Sequence, residues 1–385
     1  MRHSLYGMAF LSFVTAPLAG QERTLTTAAA RLNHQFSTIS GLRELPDGRV
    51  LVSDRIDDVL LRADLVRQKI DTIGRAGQGP GEYRWPDGLF ALPGGATLLV
   101  DLGNARLAVF DLAGRFKESF PIVQGNPGAG AGPVPLIFPR GTDNQGRIYY
   151  QPIAPGPRAD SGQVVRWDRA ASRFDTLARV RLPVLVVTSS GSQNNRRESQ
   201  RQRPYPVQDS WTVAPDGRLA VLRAPSYRVD WVAANSPIRI GNPIVVTPVS
   251  IRDAEKKEYL AEAASNGLSV AMENVNGQVS MRFSRGRQGR DDDRDEPDLS
   301  GQEWPATKPA TTGLALVAPD GRLWVERSVA ANAPRVYDVI GTAGEVLFRV
   351  SLPVGRRLVV VGTRGLYVRH VDADGINHLE RYDLQ

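Results

Sequence analysis

The chain of 385 residues contains no cysteine. That absence excludes disulfides, thiolate catalysis, cysteine-ligated zinc and a lipid-modified N-terminal cysteine. Histidine is scarce, at four residues, so a histidine-rich centre has little to draw on. No Gly-x-Ser-x-Gly elbow occurs, which leaves a hydrolase of that type without support. Long apolar runs are missing after the first twenty residues, and no later window reaches the roughly 20 residues that a bilayer span needs. Turn formers are plentiful instead, with 37 glycines and 27 prolines. The 48 Lys and Arg outnumber the 41 Asp and Glu, for a net charge of +7. That excess favours anionic partners without naming one.

The first twenty residues read as a secretory signal. Arg2 and His3 give a positive start, Leu5 to Val14 an apolar stretch, and Ala16, Ala19 and Gly20 the small residues before the polar Gln21-Glu22-Arg23. The mature chain, 21–385, is expected to be exported to a bacterial periplasm or exterior, where disulfides are optional.

One pattern recurs along it: an apolar strand, a Gly-containing turn, a second apolar strand, a polar loop and a third strand. Copies run over 41–65, 88–116, 141–174, 211–232 and 314–350, with a looser sixth at 358–384. Their turn pairs are Asp47-Gly48, Gly94-Gly95, Gln145-Gly146, Asp216-Gly217 and Asp320-Gly321. Glycine accepts the positive φ that such hairpin turns require. Repeats of this length, each holding three or four strands, predict an all-β, six-bladed propeller of four-stranded antiparallel blades in a single domain. The last copy offers only three strands, so an N-terminal strand at about 23–30 is expected to complete it.

The run Ile73-Gly-Arg-Ala-Gly-Gln-Gly-Pro-Gly-Glu-Tyr83, with Trp85-Pro86-Asp87-Gly88, resembles the inter-blade signature of NHL-type six-bladed propellers. Val100-Asp101, Asn104, Arg106 and Val109-Phe110-Asp111 resemble that family's strand pattern. The resemblance implies a six-bladed ring with a funnel. It transfers no function, because relatives include binding modules, lactonases and lyases. The lactonase-like members hold one divalent cation, such as calcium, with an acid and amide set drawn from several blades. Glu44, Asn104, Asn144 and Asp216 are polar residues near repeat turns, but their period is that of the fold, and none is carried over as a site.

Two segments, about 182–209 and 244–310, do not fit the blade period. The second has helix character over 250–265 and a charge-dense stretch at 282–300, read as a mobile loop. Insertions of this kind often carry function. Arg196, Arg197, Arg201 and Arg203 cluster in the first, suited to carboxylates, phosphates or sulfates. Trp304 lies in the second as a possible rim aromatic. These five are the candidate ligand-binding residues. The glycine run at 74–81 lacks a Gly-Lys-Ser/Thr ending and contains Pro80, so it reads as a blade connection rather than a phosphate loop. Asp372-Ala-Asp-Gly375 lacks the distal Glu of a calcium loop and reads as a turn. Whether His370 and His378, which flank it, share a face depends on the loop's length.

These readings favour a binding or scaffold module that takes a ligand or envelope protein, with anionic ones favoured by the net charge, at one face of the ring. It would be a monomer with no cofactor and no assigned catalytic or metal residues, and export disfavours nucleic acid as a partner. The alternative is a funnel-centred enzyme, a metal-dependent lactonase or hydrolase or a lyase.

Overall fold

The computed structural model describes residues 21–122, 136–152, 158–190, 197–265, 268–275, 278–285 and 303–384. It is a six-bladed β-propeller. Blade one comprises Gly41–Glu44, Val50–Asp54, Val59–Asp64 and Lys69–Thr72. The next two follow the same antiparallel order from Pro86–Ala91 to Phe116–Pro121 and from Pro139–Thr142 to Arg173–Arg181. Blade four has three strands, Ser210–Val213, Leu219–Arg223 and Arg228–Val232, with one further bridge from Trp231 to Arg239. Blade five runs from Thr311–Val317 to Val346–Leu352. Blade six runs from Arg356–Val361 to Asn377–Tyr382.

The ring closes with an N-terminal strand, but a later one than the sequence suggested. Ala30–Phe36 pairs antiparallel with Asn377–Tyr382 and becomes the outer strand of blade six. Glu22–Thr24 pairs instead in parallel with Val346–Leu352, as a fifth strand on blade five. Both segments suit an edge strand, and tertiary pairing decides which one fills the gap.

The core is divided into six apolar clusters, one in each seam between neighbouring blades. Leu51, Leu60, Leu99 and Phe110 fill the seam between blades one and two. Trp324, Tyr337, Leu358 and Val368 fill that between five and six. Because each blade is covered on both faces, strands such as Val50–Asp54 and Thr97–Asp101 are buried at every position. Their apolar residues therefore run consecutively instead of alternating.

The recurring turns are held by their own side chains. In Asp47-Gly48-Arg49, Asp216-Gly217-Arg218 and Asp320-Gly321-Arg322, the arginine N–H donates to the aspartate at 3.0 Å, and the guanidinium pairs with the same carboxylate. Gly48, Gly217 and Gly321 sit at φ between 85° and 88°. Aspartate at this repeated position is thus turn chemistry. The glycine run links the first two blades. Tyr83, fully buried, donates to Ile73 O at 2.7 Å and accepts from Leu60 N at 2.9 Å.

The two insertions meet. Leu185–Ser190 and Arg197–Gln202 form one hairpin, Leu268–Val275 and Gln278–Arg285 another, and they join through the pair Arg197 and Val275 into a four-stranded sheet. Residues 282–285 of the charge-dense stretch lie in the last of these strands, while 286–302 fall outside the described residues. A helix, Asp253–Ser265, precedes the second hairpin and is the only α-helix among the described residues. No described helix is long and apolar enough to cross a membrane.

Candidate functional site

The inner strand of each blade faces the ring axis. Neighbouring inner strands touch all the way round, and Arg356–Val361 contacts both Thr311–Val317 and Gly41–Glu44. Together they wall an open-mouthed cavity of about 640 Å³ at the hairpin-turn end of the axis. All six inner strands contribute to its wall. The volume lies within the roughly 300–1,000 Å³ typical of small-ligand sites.

Two of the residues lining it, Arg140 and Val359, are the extra residues of β-bulges. Pro139 pairs with Tyr150 and Gly141 with Tyr149, leaving Arg140 unopposed. Leu358 pairs with Val368 and Val360 with Tyr367, leaving Val359 unopposed. Such a residue departs from the strand's in-and-out alternation, which re-aims its side chain. Beside the first bulge, a Cβ on Gly141 would collide with Val213, so the close approach of blades three and four requires glycine there.

The wall is chemically divided. Blade one contributes Arg43 and blade three Arg140, with Leu89 and Phe90 of blade two between them. Leu316 and Val317 of blade five and Val359, Val360 and Val361 of blade six make an aliphatic arc on the other side. Arg43 is 7% exposed; its Nη1 donates to Ala96 O at 2.6 Å and to Thr97 Oγ1, while its Nε is buried with no partner among the described residues. Burial lowers its pKa to about 10. The Arg140 guanidinium lies 5.1 Å from the Trp211 ring centre and has no ion pair or hydrogen bond to a described residue. It is open to water in the channel, yet enough protein surrounds it for burial to lower its pKa. The one carboxylate on the wall, Asp143, is occupied: it accepts from Arg147 Nε at 2.6 Å and from the Tyr149 hydroxyl at 2.7 Å.

This donor set does not fit a divalent cation. No group of three or more His, Asp or Glu among the described residues could hold a metal ion, and the channel presents unpaired cations. Of the polar residues near the turns, only Asn144 reaches the cavity. Asn104 donates to Gly77 O and Asp101, and Asp216 pairs with Arg218. Glu44 accepts from Thr363 N, Thr363 Oγ1, Arg364 N and the Tyr367 hydroxyl, tying blade six to blade one. His370 and His378 do share a face, as a directly opposed pair with ring centres 5.8 Å apart. Separate carboxylates stand beside them: His378 Nε2 is hydrogen-bonded to Asp372 at 2.7 Å, and His370 Nδ1 lies 3.2 Å from Glu380 without a hydrogen bond.

Of the residues singled out on the insertions, none that is described lines the channel. Arg196 is outside the described residues. Arg197 pairs in register with Ser190 and Arg201 with Val186. Arg203 is exposed and pairs with Glu303 at 3.0 Å. Trp304 packs with Tyr205 and Tyr259, at ring separations of 6.2 and 5.7 Å, and this trio holds the helix. The helix is also pinned by charge. Arg335 reaches Glu262 of the helix and the buried Glu326, and Lys308 pairs with Glu258 at 3.0 Å.

Sequence reasoning missed the channel arginines. Arg43 and Arg140 stand alone between strand residues, with no motif around them. The available signal was their occurrence within inner strands that in other copies are apolar, such as Leu89-Phe90-Ala91 and Leu314-Ala315-Leu316.

No protein-family model matches the chain. A stretch of 59 residues, 15% of this chain, is 46% identical to RING finger protein nhl-1 of Caenorhabditis elegans and spans 6% of that protein's length. Among solved structures, a member of the DUF4221 family from Bacteroides vulgatus is 9% identical, with 93% of this chain and 98% of that one covered and a TM-score of 0.44. Virginiamycin B lyase from Staphylococcus aureus is 12% identical, with 93% and 88% covered and a TM-score of 0.37. A gluconolactonase from Xanthomonas campestris is 12% identical, with 92% of each chain covered and a TM-score of 0.40. These likenesses concern the fold alone, and what the sheets themselves establish is a six-bladed propeller.

Proposed function

We propose that this is an exported, NHL-like propeller that works as a ligand-binding module, with its site in the central channel at the hairpin-turn face. The cavity carries this reading: all six blades wall it, and two bulges give up ladder regularity at its surface. Bulges are built features next to sites rather than defects. The insertion sheet and its helix serve as a scaffold on the ring.

The test is a thermal-shift screen of the purified protein against a small-molecule library, repeated on Thr212→Trp. That substitution puts a bulky ring on the cavity wall, where Thr212 is half-buried. A ligand saturating the site at 100 times its Kd stabilises by about 2.7 kcal/mol. Ligands that stabilise the native protein and not the blocked variant support the channel. Ligands that stabilise both equally place the site elsewhere and overturn the reading.

A further inference from the structure

The division of the wall says what class of molecule fits. Resting on the channel reading, we infer that the ligand is an amphiphilic anion: a small apolar body carrying one carboxylate, sulfate or phosphate group. The head group would lie on the arc formed by Arg43 and Arg140, the body against Leu316, Val317, Val359, Val360 and Val361.

Three observations carry this. First, Arg43, Arg140 and Asp143 are the charged residues of the wall, and Asp143 is already paired with Arg147, which leaves the cations uncompensated. Second, Arg140 is exposed to the channel and Arg43 lines it from a nearly buried position, and neither meets a carboxylate among the described residues, so an oxyanion there would answer both charges. Third, the opposite arc offers no described hydrogen-bonding side chain, so a wholly polar anion would lose hydration there without replacement. A neutral apolar molecule would conversely leave both guanidiniums unanswered. Bidentate arginine contacts favour planar carboxylates and tetrahedral oxyanions alike.

The experiment is calorimetric titration of the whole protein with sodium decanoate below its micelle concentration, with decyl sulfate, with 1-decanol and with inorganic sulfate. The expected result is one site per chain for the two amphiphilic anions and at least tenfold weaker binding of decanol and of sulfate. Arg140→Gln, which removes no hydrogen bond to a described residue, should weaken the amphiphilic anions at least tenfold and leave decanol unchanged. Equal binding of decanoate and decanol, or anion binding indifferent to Arg140→Gln, overturns the ligand class. So does no binding of either amphiphile up to 1 mM. The Thr212→Trp variant separates the two readings. Neutral ligands that bind and are blocked leave the channel standing while the anion class falls. Amphiphilic anions that bind the blocked variant as before overturn both.

Discussion

Arg140 and Val359 occupy equivalent places on opposite sides of the ring, each the unopposed residue of a bulge in the inner strand, in blades three and six. Both line the channel, one as an exposed cation and the other as an aliphatic wall. The same backbone device therefore delivers opposite chemistry to two sides of one cavity.

Stability should respond differently at the two. Arg140→Leu replaces an exposed cation with no ion pair to a described residue and is expected to change stability by no more than about 0.5 kcal/mol. Val359→Ala, at a half-buried aliphatic residue, should lose about 1 kcal/mol. Urea midpoints of the two variants decide it. A loss of more than 1 kcal/mol for Arg140→Leu would make that residue a structural partner of Trp211 instead.

Glu44 joins the last blade to the first through four accepted hydrogen bonds, two of them from backbone N–H groups. Hydrogen bonds to a charged group contribute about 1.5–3 kcal/mol each when measured singly, and they are not additive. Glu44→Ala should cost about 2–4 kcal/mol. The loss should be global, seen as a lower denaturant midpoint with an unchanged slope. A variant that frays only blade six in hydrogen exchange would show that the ring tolerates an open seam.

The two N-terminal strands differ in what depends on them. Removing residues 21–24 strips a parallel edge strand from a blade that already has four, and should leave a cooperative fold. Removing 21–36 takes away the outer strand of blade six together with Leu32 and Phe36, which are 1% and 2% exposed in the seam with blade one. That chain should lose its near-ultraviolet circular dichroism and its sharp melt. Equal behaviour of the two truncations would refute the closure.

Burial, with Arg356 adding to it, holds the His370 pKa below the ordinary histidine value. The unfolded chain therefore takes up a proton near pH 6.5 that the folded chain resists. The sign follows from linkage: stability rises with pH between the folded and unfolded values, and falls on acidification below about 6.5. His370→Gln should flatten that slope between pH 7 and pH 5.5 in urea titrations. An unchanged slope would assign the pH dependence to other groups.

The ring was legible because its evidence is local and repeated. Asp47-Gly48, Asp216-Gly217 and Asp320-Gly321 write the same turn three times. The channel was not, because a bulge at Arg140 or Val359 depends on a ladder register that no nearby residue announces. The pairing of the insertions was illegible for a related reason. Arg197 and Val275 are far apart in sequence, and only tertiary pairing makes one sheet of two charged, irregular segments. Trp304 packs against Tyr205 and Tyr259, whose closeness to it the sequence hides.

The closing pairing also sets a clock. Ser37, just past the outer strand of blade six, accepts a hydrogen bond from Asn377, 340 residues further on. At a synthesis rate of about 5–20 residues per second, Ala30–Phe36 waits roughly 20–70 s for its partner to be made. Until then Leu32 and Phe36 have no completed seam to enter, and the nascent chain carries an unpaired strand with two uncovered apolar side chains. Whatever escorts this chain before completion must shield that first strand until the last one arrives.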